Sequence, residues 1–473
     1  MGPALDRHVA LVGFMGAGKS TLGRALAARL GRRFVDVDRE LETQTGMGVA
    51  QLFERGEAVF RTKESMTTID ALRAQPPAVV ALGGGALGSS NVREALRDHA
   101  LTILVDVEID DAWSRVRGSD RPLAQDELRF RALFEKRRPV YEEAADARAR
   151  DVDSAVLAAA AVHVEIGALA RLGELVPDGA VALVSDAHVA GIHGADAQVA
   201  LGSPVGVHEL PAGEEAKTIV SVERLWRELR LDRGGTLVAL GGGCTTDAAG
   251  FAAATYLRGV RWVAVPTSLV GQVDAAIGGK TGIDLPEGKN LVGAFHWPVR
   301  TVIDPALLET LPERERREGL SEVVKTGLLA GEPLWELPQP ELVRRCAAYK
   351  AAVCLRDPYE HGERAVLNLG HTFAHALEAA AGYEGVTHGH AVALGLRAAL
   401  RLSGLDTDVV DDTLAPKRVR VDRERAWDAL RRDKKSANGR ARLVLLEAPG
   451  KPVFGVERPD AEIRAALDEL IAG

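Results

Sequence analysis

Near its start the chain reads His8-Val-Ala-Leu-Val12-Gly13-Phe-Met-Gly16-Ala-Gly18-Lys19-Ser20-Thr21. A short apolar run gives way to a glycine-rich turn, and Thr21–Leu30 has the apolar spacing of an amphipathic helix. Gly-x-x-x-x-Gly-Lys-Ser between a strand and a helix is a P-loop. Its glycines let successive backbone N–H groups turn inward onto a phosphate chain at the positive end of the helix. Lys19 is expected to reach the β- and γ-phosphates and the Ser20 hydroxyl to ligate Mg²⁺, with Gly13, Gly16, Gly18 and Thr21 lining the same nucleotide site. A nucleotide and Mg²⁺ are therefore expected here, and a strand leading into such a loop predicts an α/β fold around a parallel sheet.

Outward from the loop, Val79–Leu82 and Leu101–Val107 read as buried parallel strands, Asp126–Arg137 as an amphipathic helix, and Ala144–Ala161 as a short Ala-rich helical end. A second alternation begins at Val162, with strands at Val181–Ser185, Thr236–Leu240 and Trp262–Pro266. From about Pro305 helical patterns dominate: Glu313–Leu329, Pro340–Leu355, Ala365–Ala381 and His388–Ser403. Three domains are predicted, 1–160, 161–304 and 305–473, with no internal repeat.

The 473 residues suffice for several cores, and 46% hydrophobic with 27% charged residues is ordinary for a globular protein. A net charge of -8, with the signs interspersed, predicts no nucleic-acid partner. Three cysteines without a close pair fit a reducing compartment. The apolar run at residue 8 leaves no signal peptide, and no long apolar stretch suggests a membrane span. The expected setting is the cytoplasm.

A P-loop specifies a nucleotide but not the second substrate. Asp36-Val-Asp38 places two carboxylates at the end of the next strand-like segment, and Gly83-Gly84-Gly85 after a strand allows close approach to backbone. Arg61 lies in a charged helical stretch, while Arg121-Pro-Leu and Arg137-Arg-Pro-Val-Tyr141 flank a charged segment able to close over ATP. This constellation resembles shikimate kinase over residues 7–160. The resemblance implies that Asp38 takes substrate hydroxyls and that Arg61 and Arg137 grip the substrate carboxylate. It further implies that Gly83–Gly85 line the pocket, that Arg121 approaches the nucleotide phosphates, and that Asp36 helps hold Mg²⁺. Two guanidinium forks suit a carboxylate because each pairs with it bidentately.

The second informative stretch opens with Gly241-Gly242-Gly243-Cys-Thr-Thr-Asp247. It continues through Arg258, Pro-Thr267-Ser268, Asp274, Lys280 and Gly-Lys289-Asn290. Glycines straight after a strand suit a dinucleotide pyrophosphate, although this is not the G-x-G-x-x-G fingerprint. Later, Asn368-Leu-Gly-His371-Thr-Phe-Ala-His375 follows Arg364 in a helical pattern, which predicts all four side chains on one face. Glu322 and Lys325 form another i,i+3 pair, and His388 begins the next helix. A Glu/His/His set with an open position has the composition of a catalytic zinc site.

This part resembles 3-dehydroquinate synthase over residues 162–473. The implied fold is an α/β NAD-binding domain with a mainly helical metal-binding domain, so the whole chain becomes a P-loop kinase domain followed by a dehydroquinate-synthase-like unit. The resemblance implies Zn²⁺ or Co²⁺ on Glu322, His371 and His388. It places NAD⁺ on Gly241–Gly243, with Glu214, Lys217, Asp247, Thr267, Ser268, Asp274, Lys280 and Lys289 around it. The implied substrate and catalytic groups are Arg258, Asp274, Lys280, Lys289, Asn290, Lys325, Lys350, Arg364, Asn368, His375 and Lys434. The departures are His390, where the family has Glu, and Thr246, where it commonly has Gly.

The two resemblances together imply a bifunctional enzyme of the shikimate pathway. One half phosphorylates shikimate, and the other converts a seven-carbon heptulosonate phosphate to 3-dehydroquinate and phosphate, with small molecules as partners and a homodimer formed through the synthase half. The alternative for the C-terminal half is another sugar-phosphate cyclase or a glycerol-dehydrogenase-like oxidoreductase.

Overall fold

Strand β1 (His8–Val12) is buried at every residue, and the P-loop leaves its C-terminal end. The computed structural model describes residues 2–472 apart from 120, 121, 203, 383, 384 and 434–440. It contains two compact units, Met1–Ala161 and Val162–Gly473. In the first, β1 is flanked by β3 (Val79–Ala81) and β4 (Ala100–Val105), with β2 (Phe34–Asp36) and β5 (Ala147–Ala149) outside them. The order is β2-β3-β1-β4-β5 and every pairing is parallel. After β1 the chain turns through Gly13, Gly16 and Gly18 at φ 140°, 82° and 87°, and the helix starts at Lys19. A Cβ at Gly16 would stand 2.5 Å from the Ala112 carbonyl oxygen, so the turn requires glycine sterically as well as conformationally.

The helix predicted to stop at Arg137 continues through Pro139 to Ala144. Phe130 and Tyr141 are both buried along it, and that packing holds the helix together across the proline. Its start is fixed by Asp126, whose carboxylate accepts the Arg129 N–H at 2.8 Å.

In the second unit, β6 (Val162–Val164), β7 (Val181–Asp186), β8 (Gly206–Leu210), β9 (Thr236–Gly241) and β10 (Arg261–Pro266) precede an antiparallel hairpin, β11 (Lys280–Leu285) and β12 (Gly288–Phe295). Strand β13 (Arg300–Ile303) completes a parallel sheet of order β6-β13-β10-β9-β7-β8. Central β9 is fully buried, and the helix Gly243–Thr255 begins immediately beyond its end. The remainder packs helices Glu313–Ala330, Gln339–Arg356, His371–Ala380, His388–Leu402, Arg423–Asp433 and Asp460–Asp468 with a hairpin of β14 (Leu443–Ala448) and β15 (Lys451–Val456). Among the described residues no helix is long and apolar enough to cross a membrane.

One helical prediction fails. Ala365–Ala381 is not continuous: a 3₁₀ turn covers Glu363–Asn368, and the α-helix starts at His371 after Gly370 at φ 79°. The helix His388–Leu402 crosses at this break, where a Cβ on Gly370 would come 2.7 Å from the Leu396 nitrogen. Arg364 and Asn368 therefore do not share a helical face with His371 and His375. Gly370→Ala should lower the stability of this unit by ~2 kcal/mol or more, through both the left-handed φ and the overlap. Urea unfolding checks this, and an unchanged midpoint would show that the crossing is loose.

Two candidate active sites

In the first unit Lys19 Nζ donates to the carbonyls of Gly13 and Phe14 at 2.8 and 2.9 Å, so its ammonium lies across the mouth of the loop. Ser20 Oγ donates to Asp36 Oδ2 at 2.5 Å. Asp36 also accepts the Arg39 N–H at 3.4 Å, capping the helix Val37–Thr45, so Asp38 stands in a first helical turn rather than at a strand end. The triple glycine is the meeting point of the remaining groups. A Cβ on Gly83 would overlap the Glu64 carboxylate and come 3.0 Å from Asp38 Oδ1, and one on Gly85 would overlap the Arg61 guanidinium. The Gly84 carbonyl accepts from Arg137 Nη1 at 3.0 Å and from Tyr141 Oη at 2.5 Å. Asp38, Arg61, Gly83–Gly85 and Arg137 are thus brought together, while Arg121 lies outside the described residues.

Three further groups were given no role in the sequence reading. Glu64 is buried and pairs with Arg61 Nη1 at 2.7 Å. Burial raises its pKa, and the Arg61 charge opposes that rise. Its signal was the i,i+3 spacing from Arg61 on the helix Glu57–Arg73. Burial likewise pushes the Tyr141 hydroxyl up to about 12. Arg115 Nη1 donates to the Gly16 carbonyl at 3.1 Å, placing a cation beside the P-loop.

In the second unit the glycine triplet sits where β9 ends. Gly241 accepts the Thr267 N–H at 2.9 Å, which brings the turn after β10, with Ser268, against it. A charged cluster lies at the same end of the sheet. Lys217 Nζ is 3.0 Å from Asp247 Oδ2 and 3.6 Å from Asp284 Oδ1 and donates to Asn290 Oδ1, while Lys289 pairs with Glu214 at 2.6 Å. Burial disfavours the Lys217 charge, but Asp247, Glu214 and Asp284 outweigh it and raise the lysine pKa. Burial also lifts the Asp247 carboxyl to about 6, against the pull of Lys217. Asp284, absent from the predicted set, orders this corner by accepting the Asn290 N–H at 2.7 Å. Thr246 spends its hydroxyl on its own helix, bonding the Gly242 and Gly243 carbonyls.

A second cluster gathers around Glu322, which is 1% exposed. His371 Nε2 and His388 Nε2 each lie 3.5 Å from Glu322 Oε1, and one ligating atom from each of the three residues falls within 4.8 Å of the others. Neither Glu322 oxygen has a hydrogen-bond partner among the described residues, although Lys325 forms an ion pair with Oε2. Burial opposes the Glu322 charge, yet Lys325 and the two imidazoles hold its carboxyl well below the usual range. Two imidazole nitrogens converging on an ionised, hydrogen-bond-poor carboxylate are a donor set that fits Zn²⁺ or Co²⁺. The ring orientations are supported from behind. His371 Nδ1 lies 3.2 Å from the Leu369 carbonyl and His388 Nδ1 lies 3.4 Å from buried Glu378.

Cations surround this cluster. Asp274 Oδ1 is 2.8 Å from Lys350 Nζ and 3.6 Å from Lys325 Nζ. Arg364 is fully buried, donating to the Gly278 and Pro358 carbonyls at 2.9 and 3.1 Å, and Lys280 pairs with Glu360 at 2.6 Å. His375 packs edge-on to His371 with ring centres 5.6 Å apart. Among the described residues, exposed Arg258 and half-buried Asn368 make no hydrogen bond or ion pair to either cluster, and Lys434 lies outside the described residues. His390 turns to the Lys417 carbonyl at 2.7 Å and takes no part in the metal cluster.

Comparison with known proteins bears on both sites. The shikimate kinase family model matches residues 15–165. The N-terminal and C-terminal models of 3-dehydroquinate synthase match 207–318 and 319–436. The 3-dehydroquinate synthase of Gloeobacter violaceus is 44% identical over 298 residues, 55% of this chain and 80% of the relative. Among solved structures, 2-deoxy-scyllo-inosose synthase complexed with carbaglucose-6-phosphate, NAD⁺ and Co²⁺ is similar at TM-score 0.59 and 25% identity. The 2-epi-5-epi-valiolone synthase of Streptomyces hygroscopicus with NAD⁺ and Zn²⁺ bound is similar at 0.58 and 27%. The similarity to each covers 65% of this chain and 96% of that one.

Removing the Glu322 charge tests the donor set. Glu322→Gln should weaken Zn²⁺ binding at least ~100-fold with the circular dichroism unchanged. Affinity equal to wild type in a chelator competition would refute the three-ligand site.

Proposed function

We infer the chemistry of each site from the premise that the chain belongs to the 3-dehydroquinate synthase family and carries a shikimate kinase domain ahead of it. It is a bifunctional shikimate-pathway enzyme, phosphorylating shikimate with ATP and converting 3-deoxy-D-arabino-heptulosonate 7-phosphate to 3-dehydroquinate and phosphate. The assignment of individual roles is our reading of the geometry.

In the kinase, the P-loop amides with Lys19 bind the nucleotide phosphates, and Ser20, oriented by Asp36, faces Mg²⁺. Bound Mg²⁺ supplies charge neutralisation on the phosphates. Asp38 receives the substrate hydroxyl, and Arg61 and Arg137 grip the carboxylate, fixing one end of shikimate so that the other faces ATP. The observation that carries this reading is the convergence of Asp38, Arg61 and Arg137 on Gly83–Gly85. Glu64 and Tyr141 keep that geometry, one through Arg61 and the other through the Gly84 carbonyl.

In the synthase, Glu322, His371 and His388 would hold Zn²⁺ or Co²⁺, which supplies a Lewis acid to acidify a hydroxyl and polarise a carbonyl. NAD⁺, against Gly241–Gly243 with Glu214, Lys217, Asp247, Thr267, Ser268 and Lys289 around it, supplies transient oxidation. The chain itself does the positioning. Lys280, Lys325, Lys350 and Arg364 provide cations for a carboxylate and a phosphate, and Asp274 pairs with both Lys325 and Lys350. We assign proton exchange with bound substrate to His375, whose ring packs against that of His371. The cluster of Glu322, His371 and His388 beside Lys325 carries this reading, and so many cations disfavour a dehydrogenase for uncharged polyols.

The reading extends to three domains divided near residues 160 and 304 and to a homodimer formed through the synthase half, supported by the family resemblance. A cytoplasmic setting is supported by three free cysteines.

The separation of sites is tested with two substitutions. Lys19→Ala should reduce shikimate phosphorylation by ~10³-fold or more and leave phosphate release from the heptulosonate phosphate unchanged. His371→Ala should do the reverse. A folded variant that loses both activities would contradict independent sites.

A further inference from the structure

Glu318 lies one helical turn before Glu322 on Glu313–Ala330, yet it is not among the three residues that converge for a metal. Its carboxylate grips the start of the neighbouring helix His388–Leu402 instead. Oε1 accepts the Thr387 hydroxyl at 2.6 Å, and Oε2 accepts the Gly389 N–H at 2.6 Å. Thr387 stands at the N-cap position, but its own side chain caps nothing. The cap is supplied across the helix–helix contact by Glu318, whose negative charge also suits the positive end of the helix. The two backbones are so close that a Cβ on Gly389 would overlap the Glu318 carbonyl oxygen.

The residue between the two gripped positions is His388. Of the three groups that converge for a metal it is the least confined: its side chain is 40% exposed, against 12% for His371 and 1% for Glu322. Glu322 and His371 are enclosed, whereas the more open His388 ring packs on one side against His371, with ring centres 5.6 Å apart. Behind the ring, buried Glu378 lies 3.4 Å from Nδ1. Its two neighbours are held by Glu318, through the Thr387 hydroxyl and the Gly389 N–H.

We propose that Glu318 is a positioning residue for the metal centre: it touches no ligand, but through Thr387 and Gly389 it sets where His388 Nε2 stands relative to Glu322. Because Glu318 and Glu322 share one helix, a single rigid element carries both a ligand and the clamp for the ligand opposite. The inference rests on the reading of Glu322, His371 and His388 as a metal site, and its test separates the two.

The test uses the full chain, stripped of metal, with Zn²⁺ affinity measured by competition against a chromophoric chelator for wild type, Glu318→Ala, Glu318→Gln and Glu322→Gln. Metal-free thermal unfolding and shikimate phosphorylation serve as controls on the fold. Glu318→Ala should weaken Zn²⁺ binding 10- to 100-fold, the range for residues that orient a ligand from behind. Glu318→Gln, which keeps one acceptor oxygen, should weaken it less, and it carries the test if the alanine variant does not fold. With Co²⁺ in place of Zn²⁺, the visible absorption bands of Glu318→Ala should shift, a change that loss of helix stability alone does not produce. A folded Glu318 variant binding Zn²⁺ within twofold of wild type, with unshifted Co²⁺ bands, would overturn the proposal and leave the metal site standing. Wild type binding Zn²⁺ no better than Glu322→Gln would overturn the metal reading and the proposal with it.

Discussion

A parallel strand buried on both faces offers a ligand nothing along its length, because every side chain is packed and every peptide group is paired. The chain becomes available for chemistry where such a strand ends, and the glycine turns of both units are built there. Strand β1 is buried throughout and ends in Gly13, and β9 is buried throughout and ends in Gly241. In each case glycines carry the turn into a helix, so phosphate-sized groups can meet backbone N–H at the helix start. The two turns differ in shape. The first has three glycines with positive φ, whereas the second takes ordinary angles at Gly242 and is narrowed by Thr245 and Thr267.

Around those strand ends the protein buries charge, which is costly unless the charges are matched. Lys217 is matched by Asp247 and Asp284, Lys325 by Glu322 and Asp274, and Arg61 by buried Glu64. Arg364 is held differently, donating to the Gly278 and Pro358 carbonyls and lying over the Phe295 ring. Pairing holds the cations still in the free enzyme, and their placement precedes ligand binding. That is preorganisation, in which the cost of ordering long side chains is met during folding rather than during turnover.

Most of this was legible in the sequence where the signal is local. The P-loop, the strands β7, β9 and β10 and the helices beginning at Glu313 and His388 follow from short periodic patterns, and the structure matches them within a few residues. What was not legible depended on contacts between distant segments. Asp38 moved from a strand end to a helix because Asp36 serves as an N-cap. Glu64, Tyr141 and Asp284 are ordinary polar residues in sequence and become site residues only through partners that the fold supplies. The break at Gly370 was hidden because Ala365–Ala381 has good helical periodicity on both sides, and only the crossing helix at Leu396 demands a glycine.

That crossing shows how the proposed metal site is assembled. Glu322, His371 and His388 come from three helices, and no short stretch of chain fixes their separation. The distances are set instead by how closely those helices pack, and the contacts are glycines. Gly370 meets the backbone of Gly395 and Leu396, and Gly389 meets that of Glu318. Replacing a glycine at either contact with a larger residue pushes two helices apart and moves a ligand with them. Packing density and the geometry of this cluster are therefore one property here, and the glycines that read as helix breakers in sequence are what allow three separate helices to bring these atoms within 4.8 Å of one another.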